Sequence, residues 1–150
     1  MTGQILRAIF LFGAILFSRL PAEAQGLEAA PNRRRNDPQA SLIFDDIQAA
    51  VKSGDLNPLS PDLARQVYLN LPGVEGGFFS ENQALYILKD YFKSRRVLSF
   101  RLSTVSTVEG TPYATGGGTY LQRGVQELLQ VYVALKKSGD RWVIAQFSVY

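Results

Sequence analysis

The sequence predicts an α+β fold, with two to three helices first and a curved antiparallel sheet of four main strands after them, plus one or two short strands. Three observations predict it. Residues 41–53 and 80–93 repeat apolar side chains at helical spacing. Residues 97–150 are rich in β-branched and aromatic residues and are cut into four stretches by short turn signals. The triplet Gly116-Gly117-Gly118 interrupts one of those stretches and marks a bulge or bend that helps a sheet curl. Helical patterns followed by consecutive strands indicate α+β rather than alternating α/β.

The chain opens with Arg7, an apolar run over residues 8–17, then Pro21 and the small-x-small triplet Ala22-Glu23-Ala24. This is the pattern of a cleavable export signal over residues 1–24. The run is about half of the roughly 20 apolar residues a spanning helix needs, so no membrane span is expected after cleavage. The mature chain is expected in the periplasm or secreted. Residues 25–40 hold Arg33, Arg34 and Arg35 between Pro31 and Pro38 without an apolar period, which reads as a disordered basic linker. The folded domain is expected over residues 41–150.

Within it, Ile43, Ile47, Ala50 and Val51 form a helical stripe, with Ser41 as its cap and Gly54 as its stop. Ser60-Pro61-Asp62 opens a second, short helix ending by Gln66. Residues 67–71 alternate like a strand, and Phe78-Phe79 suggests another. Ser80 and Gln83 make a capping box for the clearest helix, whose stripe is Ala84, Ile87, Leu88, Tyr91 and Phe92. Residues 97–108, 112–122, 125–137 and 142–150 then form an antiparallel meander.

The last hairpin can be read in register. Pairing Lys137 with Arg141 sets Leu135 against Val143, Val133 against Ala145 and Val131 against Phe147, a wholly apolar face. A slip of one residue would mix that face with Gln146 and Ser148. The opposite face then carries Tyr132, Gln146, Gln130 and Tyr150, with Trp142 nearby. A mixed aromatic and amide face is not needed for a core, so it lines a cavity or meets a partner.

Composition excludes more than it assigns. The net charge of +3 shrinks to +1 from Ser41 onward, where eleven Lys and Arg face ten Asp and Glu. The basic excess belongs to the leader and linker, and no nucleic-acid partner is expected. With no histidine and no cysteine, Ser-His-Asp and Cys-His nucleophilic machinery is absent, as are the usual zinc and haem ligands. No metal and no cofactor are expected. Asp45 and Asp46 are adjacent on a helix, so they diverge by about 100° and form no facing pair. Glu127 becomes a candidate base only if its strand buries it. The glycine triplet leads into a strand, not a helix N-terminus, so it is no phosphate loop.

The stretch Leu71-Pro72-Gly73, Glu75-Gly76, Phe79-Ser80, Gln83-Ala84 and Ile87 to Phe92 resembles the centre of domain-of-unknown-function family 4783. Tyr113 to Gly116, Leu135 to Lys137 and Trp142 to Ile144 with Gln146 resemble its later blocks. The resemblance implies a small exported bacterial protein of the nuclear-transport-factor-2-like, or cystatin-like, superfamily. It implies a cone in which a curved sheet wraps on three helices, and no assigned activity. The three glycines depart from what a regular strand would carry.

Three functional readings stand open. One is a non-catalytic binding or interaction domain using Tyr132, Gln146, Gln130, Trp142, Tyr113 and Tyr150, taking a small apolar ligand or a second copy in a homodimer through the sheet. Another is an acid–base isomerase or dehydratase that pairs a cavity carboxylate with a tyrosine. The third is an envelope accessory protein whose surface matters more than any pocket. No catalytic residue is assigned.

Overall fold

In the computed structural model, residues 37–108 and 110–150 are described. The expected leader and most of the expected linker, residues 1–36, lie outside the described residues. The first helix, α1 (Pro38–Ser53), starts earlier than its apolar stripe suggests. Asp37 caps it, accepting from Gln39 N at 2.9 Å and Ala40 N at 3.3 Å, and Pro38 fills the first turn. Ser41 is therefore inside the helix, where its hydroxyl donates to the Asp37 carbonyl. Proline suits the first turn because its missing N–H has no helical partner there. Gly54 ends the helix in the left-handed conformation, φ 75°.

The second expected helix is corrected. A 3-10 segment (Asn57–Asp62) takes its place, and β1 (Leu63–Asn70) follows at once. Pro58 and Pro61 withdraw two donors within six residues, which leaves too few bonds for an α-helix. β2 (Gly77–Ser80) pairs antiparallel with β1. It leads into α2 (Glu81–Lys93), where the Ser80–Gln83 capping box forms as read.

The meander is β3 (Arg96–Ser106), β4 (Tyr113–Gln122), β5 (Val125–Ser138) and β6 (Arg141–Val149). The sheet has six strands in the order β2-β1-β6-β5-β4-β3. β1 lies beside β6 and runs parallel to it, so the sheet is mixed. Its sequence alternation showed a strand but not that partner.

The hairpin register differs from the reading above. Ser138 pairs with Arg141 across Gly139-Asp140, and Leu135 faces Ile144. A bulge then shifts the ladder, so that Val133 faces Phe147 and Val131 faces Val149. The extra residue, Ala145, changes which face the β6 side chains occupy. Before it, Trp142 and Ile144 point to the helices. After it, Phe147 and Val149 do.

That inner face and the two helices share one core. Phe44, Ile47, Leu88, Phe92, Leu129, Leu135, Ile144 and Phe147 are all buried in it. The phenyl rings of Phe92 and Phe147 meet edge to face at 6.4 Å. At the far edge, β3 bulges twice against β4. There the backbones approach so closely that a Cβ on Gly118 would overlap the Ser99 carbonyl, and one on Gly116 would overlap that of Arg101. The extra residues of those bulges, Leu98 and Ser103, belong to β3, while β4 pairs with β5 without a break, so the glycines permit the close approach rather than form the bulge the sequence suggested.

Candidate functional site

The side of the sheet away from the helices carries the surface of interest. Strand alternation places Tyr113, Thr115, Gly117 and Thr119 of β4 beside Ala134, Tyr132, Gln130 and Leu128 of β5. β6 adds Gln146 and Ser148, and parallel pairing brings Tyr68 and Asn70 of β1 alongside them. None of these side chains is charged. Arg101 faces Gly117 from the edge strand β3.

Polar and aromatic groups alternate here. Gln146 Nε2 donates to Ser148 Oγ at 3.1 Å, and Ser148 is fully buried between strands. Tyr113 stacks on Tyr132 with centroids 6.1 Å apart. Tyr68 meets Phe78 edge to face at 5.2 Å. Large side chains stand open to solvent here, most of all Leu128 at 75%, Phe78 at 71% and Tyr150 at 64% exposure.

A hollow of about 440 Å³ opens on this face. Ser103, Thr115, Gln130, Tyr132 and Tyr150 line it, and the bare backbone of Gly116 and Gly117 forms its floor. The two glycines differ. Gly116 is forced by the approach of β3, but a Cβ on Gly117 would meet only the Leu129 carbonyl, at an ordinary 3.4 Å. The fold does not need glycine at position 117. Its effect is to leave the hollow open.

Five of the six residues singled out in the sequence, Tyr132, Gln146, Gln130, Tyr113 and Tyr150, share this outer face. Trp142 does not. It is 4% exposed on the helix side, where its Nε1 donates to Asp37 Oδ2 at 2.6 Å and Lys137 stacks over its ring at 4.4 Å. The indole hydrogen bond holds the Asp37 carboxyl below the usual carboxylate range, against burial, and the capping amides add to that. Trp142 is therefore an anchor for α1. Sequence reasoning missed Tyr68, Phe78 and Gly117. Tyr68 was readable as one side of an alternating strand, but only its parallel partner puts it on this face.

A second cluster sits near the end of α2. Tyr120 on β4 donates to Glu127 Oε2 at 2.7 Å. The Arg95 guanidinium lies 3.8 Å over the Tyr91 ring and 5.8 Å from that of Tyr120, and donates to the Tyr91 carbonyl at 2.8 Å. Burial pushes the Tyr91 phenol up, and the bond to Glu127 does the same for Tyr120. Both hydroxyls hold their protons more tightly than a free tyrosine. Glu127 is exposed, so the burial that would have made it a base is not met. Asp45 and Asp46 are exposed as well. Among the described residues, no three acidic side chains stand close enough to hold a metal ion, and no helix is long and apolar enough to cross a membrane.

Residues 44–149 match the family model described as a domain of unknown function, DUF4783. No curated protein matches the chain. Among solved structures, it is similar to a DUF4783 family protein from Bacteroides ovatus, with 19% identity and a TM-score of 0.58 over 69% of this chain and 89% of that one. It is similar to a ketosteroid isomerase-like protein from Erwinia carotovora atroseptica, with 15% identity and a TM-score of 0.60 over 74% and 92%. A third, Rd1NTF2_04 with long sheet, shows 14% identity and a TM-score of 0.60 over 74% and 99%. At these identities the likeness is one of fold, the nuclear-transport-factor-2-like α+β cone.

Proposed function

We propose, from the premise that this chain belongs to the DUF4783 family of unknown function, that the domain is a non-catalytic interaction module pairing with a second copy through the outer face of its sheet. One observation carries the reading. The central outer positions of β1, β6, β5 and β4 bear hydroxyls, amides, aromatic rings and Leu128, and no charge.

Such a face suits its own copy. A two-fold interface sets one patch against itself, so any net charge there would repel. Amides and hydroxyls both donate and accept, so they can pair with their own kind. Tyrosine-rich, charge-poor patches are typical of interface centres. Those four strands, at about 4.8 Å spacing and about ten residues long, present roughly 630 Å². That approaches the roughly 800 Å² each partner contributes to a standard interface.

The helix side supports a ligand less well, because large buried side chains occupy the space between helices and sheet. An acid–base enzyme using Tyr120 and Glu127 draws on their hydrogen bond and on the likeness in fold to the isomerase-like protein. Tyr120 grips its proton more firmly than usual, however, which fits a fixed contact better than proton shuttling. Export by the leader belongs to the same proposal and would place the pair outside the cytoplasm.

Sedimentation velocity of the purified protein from micromolar to millimolar concentration tests the reading. A reversible monomer–dimer transition is expected. A strictly monomeric protein at the highest concentration refutes it.

A further inference from the structure

The outer face carries both a vacancy and a projection. The vacancy is the hollow over Gly117, held open by a glycine that the backbone does not require. The projection is Leu128, the most exposed large apolar residue among those described. Leu128 pairs with Thr119, and Gly117 pairs with Gln130. The two positions are therefore two residues and one strand apart, roughly 8 Å from the strand rise and spacing.

We infer that Leu128 of each copy seats in the Gly117 hollow of the other. A two-fold axis lying in the plane between the two sheets, crossing midway between these positions, brings both contacts about at once. The hollow, about 440 Å³, has ample room for a leucine side chain. Its walls suit the guest. They pair the aromatic side chains of Tyr132 and Tyr150 with the uncharged polar ones of Ser103, Thr115 and Gln130. A leucine left three-quarters exposed gains by leaving water. A glycine in mid-strand otherwise weakens the strand. One contact accounts for both departures.

This inference rests on the dimer reading and specifies its geometry. Its test uses Gly117→Leu, which fills the hollow, and Leu128→Ala, which removes the projection. Each should weaken the dimer about 100-fold, because two seats are lost per dimer. The double variant, in which the side chain has moved from one position to the other, should recover about tenfold of that loss. Leu128→Ala alters an exposed side chain, so circular dichroism and, at a concentration below association, the melting temperature should not move. If the wild-type protein is monomeric throughout, the dimer reading itself fails. If the wild type dimerises and Leu128→Ala does so with unchanged affinity, the seating is refuted while the dimer stands.

Discussion

Neighbouring glycines in one strand should respond to the same substitution with opposite signs. Gly118→Ala places a methyl group 2.6 Å from the Ser99 carbonyl carbon and 2.8 Å from Phe100 Cα. Ordinary contact begins near 3.4 Å, as it does for Gly117. The obstacle is backbone, which cannot swing aside as a side chain can. The Ser99 carbonyl oxygen lies nearer still, so strand β3 would have to retreat by well over an ångström and stretch its bonds to β4. Overpacking costs about 1–3 kcal/mol, and a backbone obstacle puts Gly118→Ala near the top, at about 3 kcal/mol. Gly117→Ala meets no such obstacle and restricts the unfolded chain, so it should stabilise by about 0.5 kcal/mol. For a domain of this size about 4 °C follows each kcal/mol. Gly118→Ala should lower the melting temperature by about 12 °C and Gly117→Ala raise it by about 2 °C. Thermal unfolding by circular dichroism at a concentration below association reads both. Equal signs, or an unchanged Gly118→Ala, would refute the close approach as the reason for the glycines.

Three more expectations follow from other contacts. Trp142→Phe keeps an aromatic ring but removes the donor to Asp37, and should cost about 1.5 kcal/mol in urea denaturation at neutral pH. Because the folded Asp37 pKa is depressed, its contribution is present above the ordinary carboxylate pKa and is lost as pH falls through the folded value. The difference between wild type and Trp142→Phe should therefore shrink in acid, and a constant gap would count against the assignment. Ser80→Ala removes the cap of α2 and should destabilise by about 1 kcal/mol, measured in the same way. The phenols of Tyr91 and Tyr120 have raised pKa values when folded, so their stabilisation is complete below the ordinary tyrosine value and is lost as pH rises through the folded values. Stability should decline in alkali, and Tyr120→Phe should make that decline shallower.

Elements built from local signals were legible in the sequence. The Ser80–Gln83 box, the stripe ending at Phe92 and the turns between β3 and β6 all act within a few residues of the chain. Strand alternation put Tyr132, Gln130, Gln146 and Tyr150 on one face. What escaped was set by breaks in periodicity and by distant partners. Asp37-Pro38 is a cap and first-turn signal that the basic, proline-containing stretch before it concealed. Ala145 adds one residue to β6 and reverses the facing of Trp142, which strict alternation cannot foresee. Tyr68 joined the outer face only because β1 lies parallel to β6, a pairing that spans most of the domain. The hollow was not legible, since all three glycines read alike in sequence and only Gly117 proves dispensable to the backbone.

The place of β6 also has a bearing on how the chain matures. Its residues, Arg141–Val149, lie between β5 and β1 in the sheet order and so join the meander to the β1–β2 pair. This joint is made by a strand about 75 residues downstream of β1. Until it docks, β1 has β2 on one side and a bare edge on the other, and the inner residues Ile144, Phe147 and Val149 are missing from the core. The sheet is therefore completed by contacts between strands far apart in the chain, a topology that slows folding. Deleting residues 141–150 would split the sheet rather than trim its edge.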